Sequence, residues 1–585
     1  MRRSILALAS IAASLGVLSA GACGGGGEES SGAGAGSTGG AASVTSSSAA
    51  GGGSTGSGGK GGAGPVTPTI SSWLGTNVAG DLARVDIAYQ LNAFDTPSAQ
   101  KDADGYPVAG ASGTSQTDLG FLLPTGTYAI SYQGTGALSV SGIGTLTGAW
   151  TTVGGEQRNH VAITGAPGVF GKLLTLKVTN TAGQTVKGIH LLYPGFDSGA
   201  KPVFLPELLH LLEPFRALRF MEWENINGSK LADWSDRPAA SHFGSSPHGQ
   251  PYEHIVELIN ETGKDAWINV PEHATDDFVH QLASFLRDNL DFTRIAAART
   301  KAGFTTPFEL IVEISNETWN QGFTAYKSLL DAANAKPARY NGVYTGTYGP
   351  SWQSSSTDLM KVGQVEADRL VQISTIFRQE LMAIGKSDIV APALCGWALG
   401  PVYSDVGLRF IKDNYGAPKD YVRYVAIAPY FGPDDKQTGS LAALFTSAGQ
   451  NIASMEATFG DFHKLADEHG VKMAAYEGGQ GISGNDNLTI KHLAQHDQRM
   501  YDAYAAYFAL WKKSFGESLF MHFDLAGTPG VPEFVFQYGF WGSIISVLED
   551  PAACSAVYPT LTGTEDVASV VHRCPKYGFL RQQVP

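Results

Sequence analysis

Charged residues are scarce in this chain, and basic residues are the scarcer kind. Only 16% of the 585 residues are Asp, Glu, Lys or Arg, and the formal net charge is −14. A protein that binds nucleic acid presents a basic face, so no nucleic-acid partner is expected. An acidic, weakly charged and aromatic-rich chain suits a neutral polymer as its partner.

Cysteine is also rare, with four residues in the whole chain. Their spacing fits no zinc motif, and neither a metal nor an organic cofactor is expected. Cys554 and Cys574 lie close together near the C-terminus, and an exported protein can join such a pair by a disulfide. Cys395 lies in the apolar run 389–397 and is expected to be a small buried side chain.

Long apolar runs are lacking after the first residues, so no later segment is predicted to span a bilayer. Residues 1–22 are typical of an export signal, with two arginines before an apolar stretch that ends in small residues. Two processing routes stay open: 20–22 (Ala-Gly-Ala) fits ordinary cleavage, whereas small residues before Cys23 resemble a bacterial lipoprotein signal, in which Cys23 carries lipid. The protein is expected to be secreted or at the cell surface, with an outer-membrane lipoprotein favoured and membrane contact only through that lipid.

Glycine is abundant, and its excess lies largely near the N-terminus. The segment 23–64 consists almost wholly of Gly, Ser, Ala and Thr. Such a segment cannot bury a core and is predicted to be a flexible, disordered tether. The folded part is predicted to begin at residue 65.

Beyond residue 199, short apolar runs alternate with amphipathic stretches, which is the pattern of β/α units around a parallel sheet. Seven apolar runs each follow a helix-like stretch, and they are 215–221, 266–270, 309–315, 388–394, 424–428, 471–476 and 518–523. A closed barrel of this kind needs eight strands. The best candidate for the missing strand is 73–78, far upstream. The sequence therefore predicts an α/β fold, the (β/α)8 TIM barrel.

The segment between that first strand and the other seven has a different pattern. Short alternating strands at 127–132, 137–140 and 174–178 are separated by turn residues, which predicts an antiparallel β-sandwich. Insertion of this sandwich between barrel strands one and two is favoured over a separate N-terminal sandwich that includes 73–78. The predicted divisions are 65–91 for the first barrel strand region, 92–198 for the sandwich insertion, 199–550 for the barrel and 551–585 for a tail packing on the barrel.

Acidic residues end two of the predicted barrel strands. The segment 315–317 (Ser-Asn-Glu) ends the fourth strand, and Glu477, followed by two glycines, ends the seventh. Because the C-terminal ends of barrel strands line the active site, Glu317 and Glu477 are expected to face one cleft. Glycoside cleavage needs such a pair, since one carboxyl protonates the leaving oxygen while the other attacks the anomeric carbon or activates water.

The Asn-Glu pair after strand four and the glutamate after strand seven resemble clan A of the glycoside hydrolases. The resemblance implies that Glu317 is the acid/base and Glu477 the nucleophile of a retaining mechanism. It also implies that Asn316 hydrogen-bonds the sugar 2-hydroxyl, that Arg219 in strand two keeps the nucleophile charged, and that Tyr430 after strand six hydrogen-bonds the nucleophile. The folded part further resembles bacterial secreted proteins described as cellulose-binding, through a similar Ser-Asn-Glu-x-Trp-Asn stretch.

Aromatic residues near the strand ends are candidate platforms for sugar rings, and they are Trp223, Trp319, Trp397 and Trp541. His273 ends strand three and is a candidate for a hydrogen bond to substrate rather than a metal ligand. The favoured function is a retaining glycoside hydrolase that acts on a polysaccharide or oligosaccharide, with β-glucan as one candidate. The alternative is a non-catalytic, cellulose-binding lipoprotein on the same fold.

Overall fold

The computed structural model describes most of the chain beyond the N-terminal segment. The described residues are 71–78, 84–118, 123–165, 171–197, 202–349, 356–484, 486–526, 541–544, 554, 558–566 and 573–584. The predicted export signal, the tether and Cys23 lie outside the described residues. No helix within these ranges is long and apolar enough to cross a bilayer.

Strand β1 (Leu74–Asn77) is followed by a block of antiparallel strands. They are β2 (Ser112–Asp118), β3 (Gly126–Gly134), β4 (Ala137–Gly142), β5 (Gly144–Leu146), β6 (Thr151–Val153), β7 (Glu156–Ile163), β8 (Leu173–Thr179) and β9 (Val186–Leu192). One sheet has the order β2-β8-β4 and the other β5-β7-β3-β9, with β6 paired to β7. Buried residues alternate with more exposed ones along β8, because one face of a sandwich strand packs on the core.

The chain then completes a parallel barrel. Its further strands are β10 (Ala217–Arg219), β11 (Asp265–Val270), β12 (Leu310–Ile314), β13 (Val390–Gly396), β14 (Tyr424–Ile427), β15 (Lys472–Ala475) and β16 (Phe520–His522). With β1 they close in chain order, and every neighbouring pair is parallel. Within the described residues, the predicted fold class, a (β/α)8 barrel with an inserted antiparallel sandwich, is confirmed. The exact limits of the predicted divisions stay a prediction.

Helices connect the barrel strands. They are α1 (Pro206–Leu212), α2 (Tyr252–Thr262), α3 (Asp276–Asn289), α4 (Phe292–Ala302), α5 (Thr324–Ala335), α6 (Thr357–Met382), α7 (Val402–Asn414), α8 (Leu441–His469), α9 (Leu488–Ala494), α10 (Gln498–Phe515) and α11 (Pro575–Arg581). The stretch between β11 and β12 forms two helices, α3 and α4. Asp291 caps the N-terminus of α4, because its side chain accepts hydrogen bonds from two N–H groups in the first turn of that helix.

The C-terminal helix α11 lies between α10 and α1. Phe579 stacks on Phe508 of α10 with ring centroids 5.5 Å apart, and Tyr577 Oη donates a hydrogen bond to Leu211 O of α1. Helix α10 precedes β16 and α1 precedes β10, so α11 occupies the helix position between the last and first barrel strands. Strand β1 leads into the sandwich, and the end of the chain covers this part of the barrel.

The structure joins Cys554 and Cys574 by a disulfide. Cys574 is the residue directly before α11, so the bond links the start of this helix to the segment at 554. Cys395 in β13 is buried and not part of a disulfide. Its burial agrees with the expectation from the sequence, and its neighbours are an apolar cluster together with the charged side chains of Glu313 and Glu366.

The segment that leads into the sandwich supports the long loop after β10. Phe243 of this loop stacks on Phe94 with ring centroids 4.5 Å apart and 16° between the ring planes. Phe243 N also donates to Asp104 O at 2.9 Å, and Ser245 N donates to Leu91 O at 2.7 Å. The same loop carries a side chain of the candidate active site, so the insertion contributes to the position of that loop.

Candidate active site

The two candidate catalytic carboxylates lie at the mouth of the barrel. Glu317 follows β12 and Glu477 follows β15, the fourth and seventh barrel strands. Glu477 is 5% exposed, and Glu317 is partly exposed. Burial raises the pKa of Tyr430 and of Tyr476, and the negative charges of both carboxylates raise it further. Both carboxyl groups therefore lie near the side chains of Tyr430 and Tyr476.

Arg219, the last residue of β10, is the electrostatic centre of the site and is completely buried. Its five N–H groups make five hydrogen bonds: two to Glu313 at 2.9 Å, and one each to Glu477 Oε1 at 2.8 Å, Asn316 Oδ1 at 2.8 Å and Asn77 Oδ1 at 3.0 Å. An arginine has no sixth N–H to offer. The side chain is buried and fully engaged by acceptors of the protein, and one of these acceptors is Glu477.

Both oxygens of Glu477 are held. Arg219 binds Oε1, and Tyr430 Oη donates to Oε2 at 3.0 Å. Burial raises the pKa of Glu477 above its usual value, although the charge of Arg219 and these two hydrogen bonds partly oppose this, since they stabilise the ionised form. The structure thus places Arg219 and Tyr430 against Glu477, as the resemblance implies.

Glu317 has no such cation in direct contact among the described residues. Burial, aided by the charge of Glu477, raises the pKa of Glu317 to about 8, although Asn320 Nδ2 donates to its Oε2 at 2.8 Å and partly opposes this. One guanidinium faces three carboxyl groups here, those of Glu313, Glu317 and Glu477. This arrangement favours a proton on Glu317 over one on Glu477, because Arg219 contacts Glu477 and does not contact Glu317.

Asn316 lies between Arg219 and the loop after β10. Its Oδ1 accepts from Arg219, and its Nδ2 donates to Asn227 Oδ1 at 3.1 Å. The amide nitrogen of an asparagine carries two hydrogens, so one remains for a ligand. This geometry is compatible with the hydrogen bond to a sugar hydroxyl that the resemblance implies.

Two of the four candidate platforms form a stacked pair on the acid/base side of the cleft. The rings of Trp319 and Trp397 have centroids 5.7 Å apart and 18° between their planes. Trp319 Nε1 donates to Tyr476 Oη at 3.1 Å, which fixes the ring, and one part of Trp319 stays exposed. A cavity of about 130 Å³, partly open to solvent, borders Trp397 and Tyr403.

Trp541 lies on the nucleophile side of the cleft. Its ring packs against Phe523 with centroids 5.7 Å apart, in a small apolar cluster with Met221 and Ile226, and Tyr430 packs on this cluster. The indole Nε1 is buried and has no hydrogen-bond partner among the described residues. Buried donors are rarely left unpaired, so this N–H is available to a ligand.

Two predicted site residues are not brought to the pair. Trp223 is completely buried and packs on Phe220, so it offers no face to a sugar and its prediction as a platform is wrong. It follows β10 in a turn that directs the ring into the core. His273 is exposed, and its Nε2 lies 3.5 Å from Ser328 Oγ in α5. The structure gives no support to a substrate contact by His273.

Several residues of the site were not predicted. Asn77, at the end of β1, holds Arg219 and donates to the carbonyl oxygens of Tyr476 and His522 at 3.1 and 3.2 Å. The sequence did contain a signal for Asn77, because it is a polar residue at the end of a predicted barrel strand. Asn227 had no such signal, because it lies in a loop without regular pattern. Among the described residues, no cluster of three or more His, Cys, Asp or Glu side chains is suited to a metal ion.

No protein-family model matches the chain, and no curated protein sequence matches it. Matching solved structures include the CBM22-1 and GH10 modules of a Clostridium thermocellum endo-1,4-β-D-xylanase complexed with xylohexaose, at 10% identity over 86% of this chain and 97% of that one, with a TM-score of 0.38. A β-xylosidase from Caulobacter crescentus matches at 13% identity over 64% of each chain, with a TM-score of 0.31. A Cellulomonas fimi endo-β-1,4-mannanase of family 26 matches at 13% identity over 55% of this chain and 62% of that one, with a TM-score of 0.25. The matching structures are enzymes of clan A, the group that the sequence resembles. At this identity and these TM-scores they do not bear on the activity or substrate of this chain.

Proposed function

We propose that this protein is a retaining glycoside hydrolase acting on a polysaccharide, with Glu317 as the acid/base and Glu477 as the nucleophile. The observation that carries the proposal is the contrast between the two carboxylates. Arg219 and Tyr430 hold both oxygens of Glu477 and favour its ionised form, while Glu317 keeps its proton. Glycoside hydrolysis with retention requires this division between an acid and a nucleophile.

In the first step, Glu477 attacks the anomeric carbon, and Glu317 gives its proton to the oxygen of the departing group. The bond that forms joins a Glu477 oxygen to the sugar, and the bond that breaks is the glycosidic C–O bond. Covalent attachment removes the negative charge of Glu477. Since that charge raised the pKa of Glu317, the pKa of Glu317 falls in the intermediate. Glu317 then takes a proton from water, which attacks the same carbon and releases Glu477.

The surroundings of the pair favour a neutral sugar chain. The guanidinium of Arg219 is engaged by acceptors of the protein, so it has no N–H left for an anionic sugar. The Nε1–H of Trp541, which has no partner within the described part of the chain, and the second Nδ2 hydrogen of Asn316 suit sugar hydroxyl groups. The exposed part of Trp319 suits the apolar face of a pyranose ring. A neutral polysaccharide such as a β-glucan has both chemical features.

The proposal is tested by incubating the purified protein with a panel of neutral polysaccharides and measuring the release of reducing ends. We expect release by the wild type and loss of about four orders of magnitude or more in Glu477→Gln, because a nucleophile is removed. Proton NMR of the first product gives its anomeric configuration, and retention is expected. An inverted product would refute the retaining mechanism. Near-zero release by both proteins, with glycan binding retained, would favour the non-catalytic binding alternative.

Export and lipid attachment at Cys23 also form part of the proposal. The support is the charged, apolar and small-residue order of 1–22, followed by Cys23 and the Gly/Ser-rich segment. Metabolic labelling with a tritiated fatty acid in a bacterial host tests it. Wild-type protein is expected to be labelled in the membrane fraction, and Cys23→Ala unlabelled. A wild-type protein without label, released in processed form, would show ordinary signal cleavage instead.

A further inference from the structure

We propose that Glu366, in helix α6, is a positioning residue that holds the acid/base loop in its working conformation. This inference rests on the proposed function, because it assigns to Glu366 a role in proton transfer by Glu317. Glu366 is completely buried and reaches the loop from a helix that precedes the fifth barrel strand. It has no place in the two catalytic steps described above.

The loop that carries Glu317 has an unusual backbone. Ser315 has φ +51° and Glu317 has φ +43°, so two residues out of three are in the left-handed region. Residues other than glycine rarely adopt this region, because the side chain crowds the following carbonyl oxygen. Such conformations persist only where surrounding contacts hold them. The contacts of the side chains on either side of Glu317 therefore determine where its carboxyl group lies.

Glu366 provides the contact on the C-terminal side. Thr318 Oγ1, one residue after Glu317, donates to Glu366 Oε2 at 2.6 Å. Tyr403 Oη donates to the same oxygen at 2.6 Å, and Cys395 N donates to Oε1 at 3.1 Å. Both carboxylate oxygens are thus used, and they connect the loop after β12 to strand β13 and helix α7.

On the N-terminal side, a second carboxyl group acts in a similar way. Ser315 Oγ donates to Glu272 Oε2 at 3.0 Å, and Asn316 is held by Arg219 and Asn227. The side chains of Ser315 and Thr318, on either side of Glu317, are therefore both anchored to carboxylates from other elements. The Glu317 side chain itself is left to face the cleft.

The other properties of Glu366 argue against a purely structural role. Within the part of the chain that the structure describes, no arginine or lysine pairs with it, whereas the buried Glu309 pairs with Arg216 and Arg423. A buried carboxyl group without a cation costs free energy that an apolar side chain of similar size avoids. Burial raises its pKa to about 7, although the three hydrogen bonds lower it. The groups that face it are Thr318, Cys395 and Tyr403, with Glu313 at longer range.

The expected consequence is a defect in proton donation rather than in binding. A displacement of about 1 Å of a catalytic group costs on the order of 100-fold in rate. Glu366→Ala should therefore reduce kcat on the polysaccharide by about 100-fold, with KM nearly unchanged. A dinitrophenyl glycoside of the same sugar has a leaving group that departs without a proton, so its glycosylation rate should fall only about threefold.

Three further variants sharpen the test. Glu366→Gln keeps the shape and can hydrogen-bond both hydroxyls, so it should restore most of the activity. Thr318→Val removes only the hydroxyl group that donates to Glu366. It should show the same kinetic defect as Glu366→Ala, and it replaces Glu366→Ala in the test if Glu366→Ala does not fold. Glu309→Ala is the matched control, because Glu309 is a buried glutamate directly before β12, at the other end of the same strand. It should lower thermal stability and affect both substrates equally.

Equal losses on the two substrates in Glu366→Ala and Thr318→Val would overturn the inference, since fewer folded molecules reduce both rates alike. Crystal structures of wild type and Thr318→Val provide a readout that needs no turnover. The inference expects the Glu317 backbone to leave its positive φ in the variant, and an unmoved Glu317 would overturn it. If the wild type hydrolyses no member of the panel, the proposed function fails, whereas the crystallographic comparison still decides whether Glu366 holds the loop.

Discussion

Replacement of Arg219 by lysine is the most informative perturbation of the site. The substitution keeps the positive charge but changes the number and direction of the donors. Arginine offers five N–H groups in a planar fork, and lysine offers three on one nitrogen. All five donors of Arg219 are engaged, so at least two of its hydrogen bonds are lost. The ammonium group also lacks the planar fork that reaches Glu313 and Glu477 in different directions, so we expect the bond to Glu477 to be among those lost.

The effect on Glu477 can be estimated from one hydrogen bond. A hydrogen bond to a charged group contributes about 1.5 to 3 kcal/mol, and a pKa change of one unit corresponds to about 1.4 kcal/mol. Loss of the 2.8 Å bond to Glu477 should therefore raise the pKa of this carboxyl group by about one to two units. The sign is upward, because the lost bond stabilised the ionised form. The acid limb of kcat/KM should move to higher pH by the same amount.

The assay is a pH profile of kcat/KM for wild type and Arg219→Lys, with thermal unfolding measured in parallel. Arg216→Lys is the control: Arg216 lies directly before β10, at the other end of the same strand, and binds Asp265 and Glu309. It should lose stability without moving the acid limb. An acid limb that stays in place in folded Arg219→Lys would refute the reasoning that Arg219 sets the ionisation of Glu477.

Four further outcomes are expected. Because burial raises the pKa of Glu317 to about 8, kcat/KM should fall as pH rises through that value, and a profile flat to pH 10 would contradict the acid role. The pKa of Glu317 in the folded state lies above the usual 4.5, so the folded state loses stability as pH rises from about 4.5 to 8. Glu317→Gln should therefore raise the melting temperature more at pH 9 than at pH 5. Trp541→Phe removes the unpaired N–H and should raise KM about tenfold, and an unchanged KM would show that this donor does not bind substrate. Replacement of Cys554 and Cys574 by serine should reduce the free energy of unfolding in urea by about 3 kcal/mol for a loop of 20 residues; no change would indicate that the tail is held by packing alone.

Strand positions in the barrel were predictable to within a few residues. The run 424–428 became Tyr424–Ile427, and the remote candidate 73–78 became Leu74–Asn77. Strands of a parallel barrel are buried on both faces, so each is a short continuous apolar run that the sequence displays directly. Helix limits were less predictable, because a cap such as that at Asp291 depends on local hydrogen bonds rather than on apolar periodicity.

The positions of Glu317 and Glu477 were likewise evident, since both follow strands at the barrel mouth. The environment of these two carboxyl groups was not evident from the sequence. The sequence placed Trp223 beside them as a platform, yet its ring turns into the core. It also left Glu366 unnoticed in the middle of a long amphipathic helix, where a charged residue ordinarily faces solvent. Direction of a side chain within a loop or at a helix–barrel contact depends on neighbours that lie far away in the chain.

By itself the sequence determined the class of fold and the two acidic strand ends, because apolar runs and the residues that end them are local features. Only the tertiary structure decided how those acids differ. Barrel closure brings Asn77, Glu313, Asn316 and Glu477 onto the single guanidinium of Arg219, although these residues lie up to 258 positions from it in the chain. The contrast between Glu477, which pairs with Arg219, and Glu317, which does not, follows from burial and from the distance to one cation. Neither quantity is defined until the strands have closed.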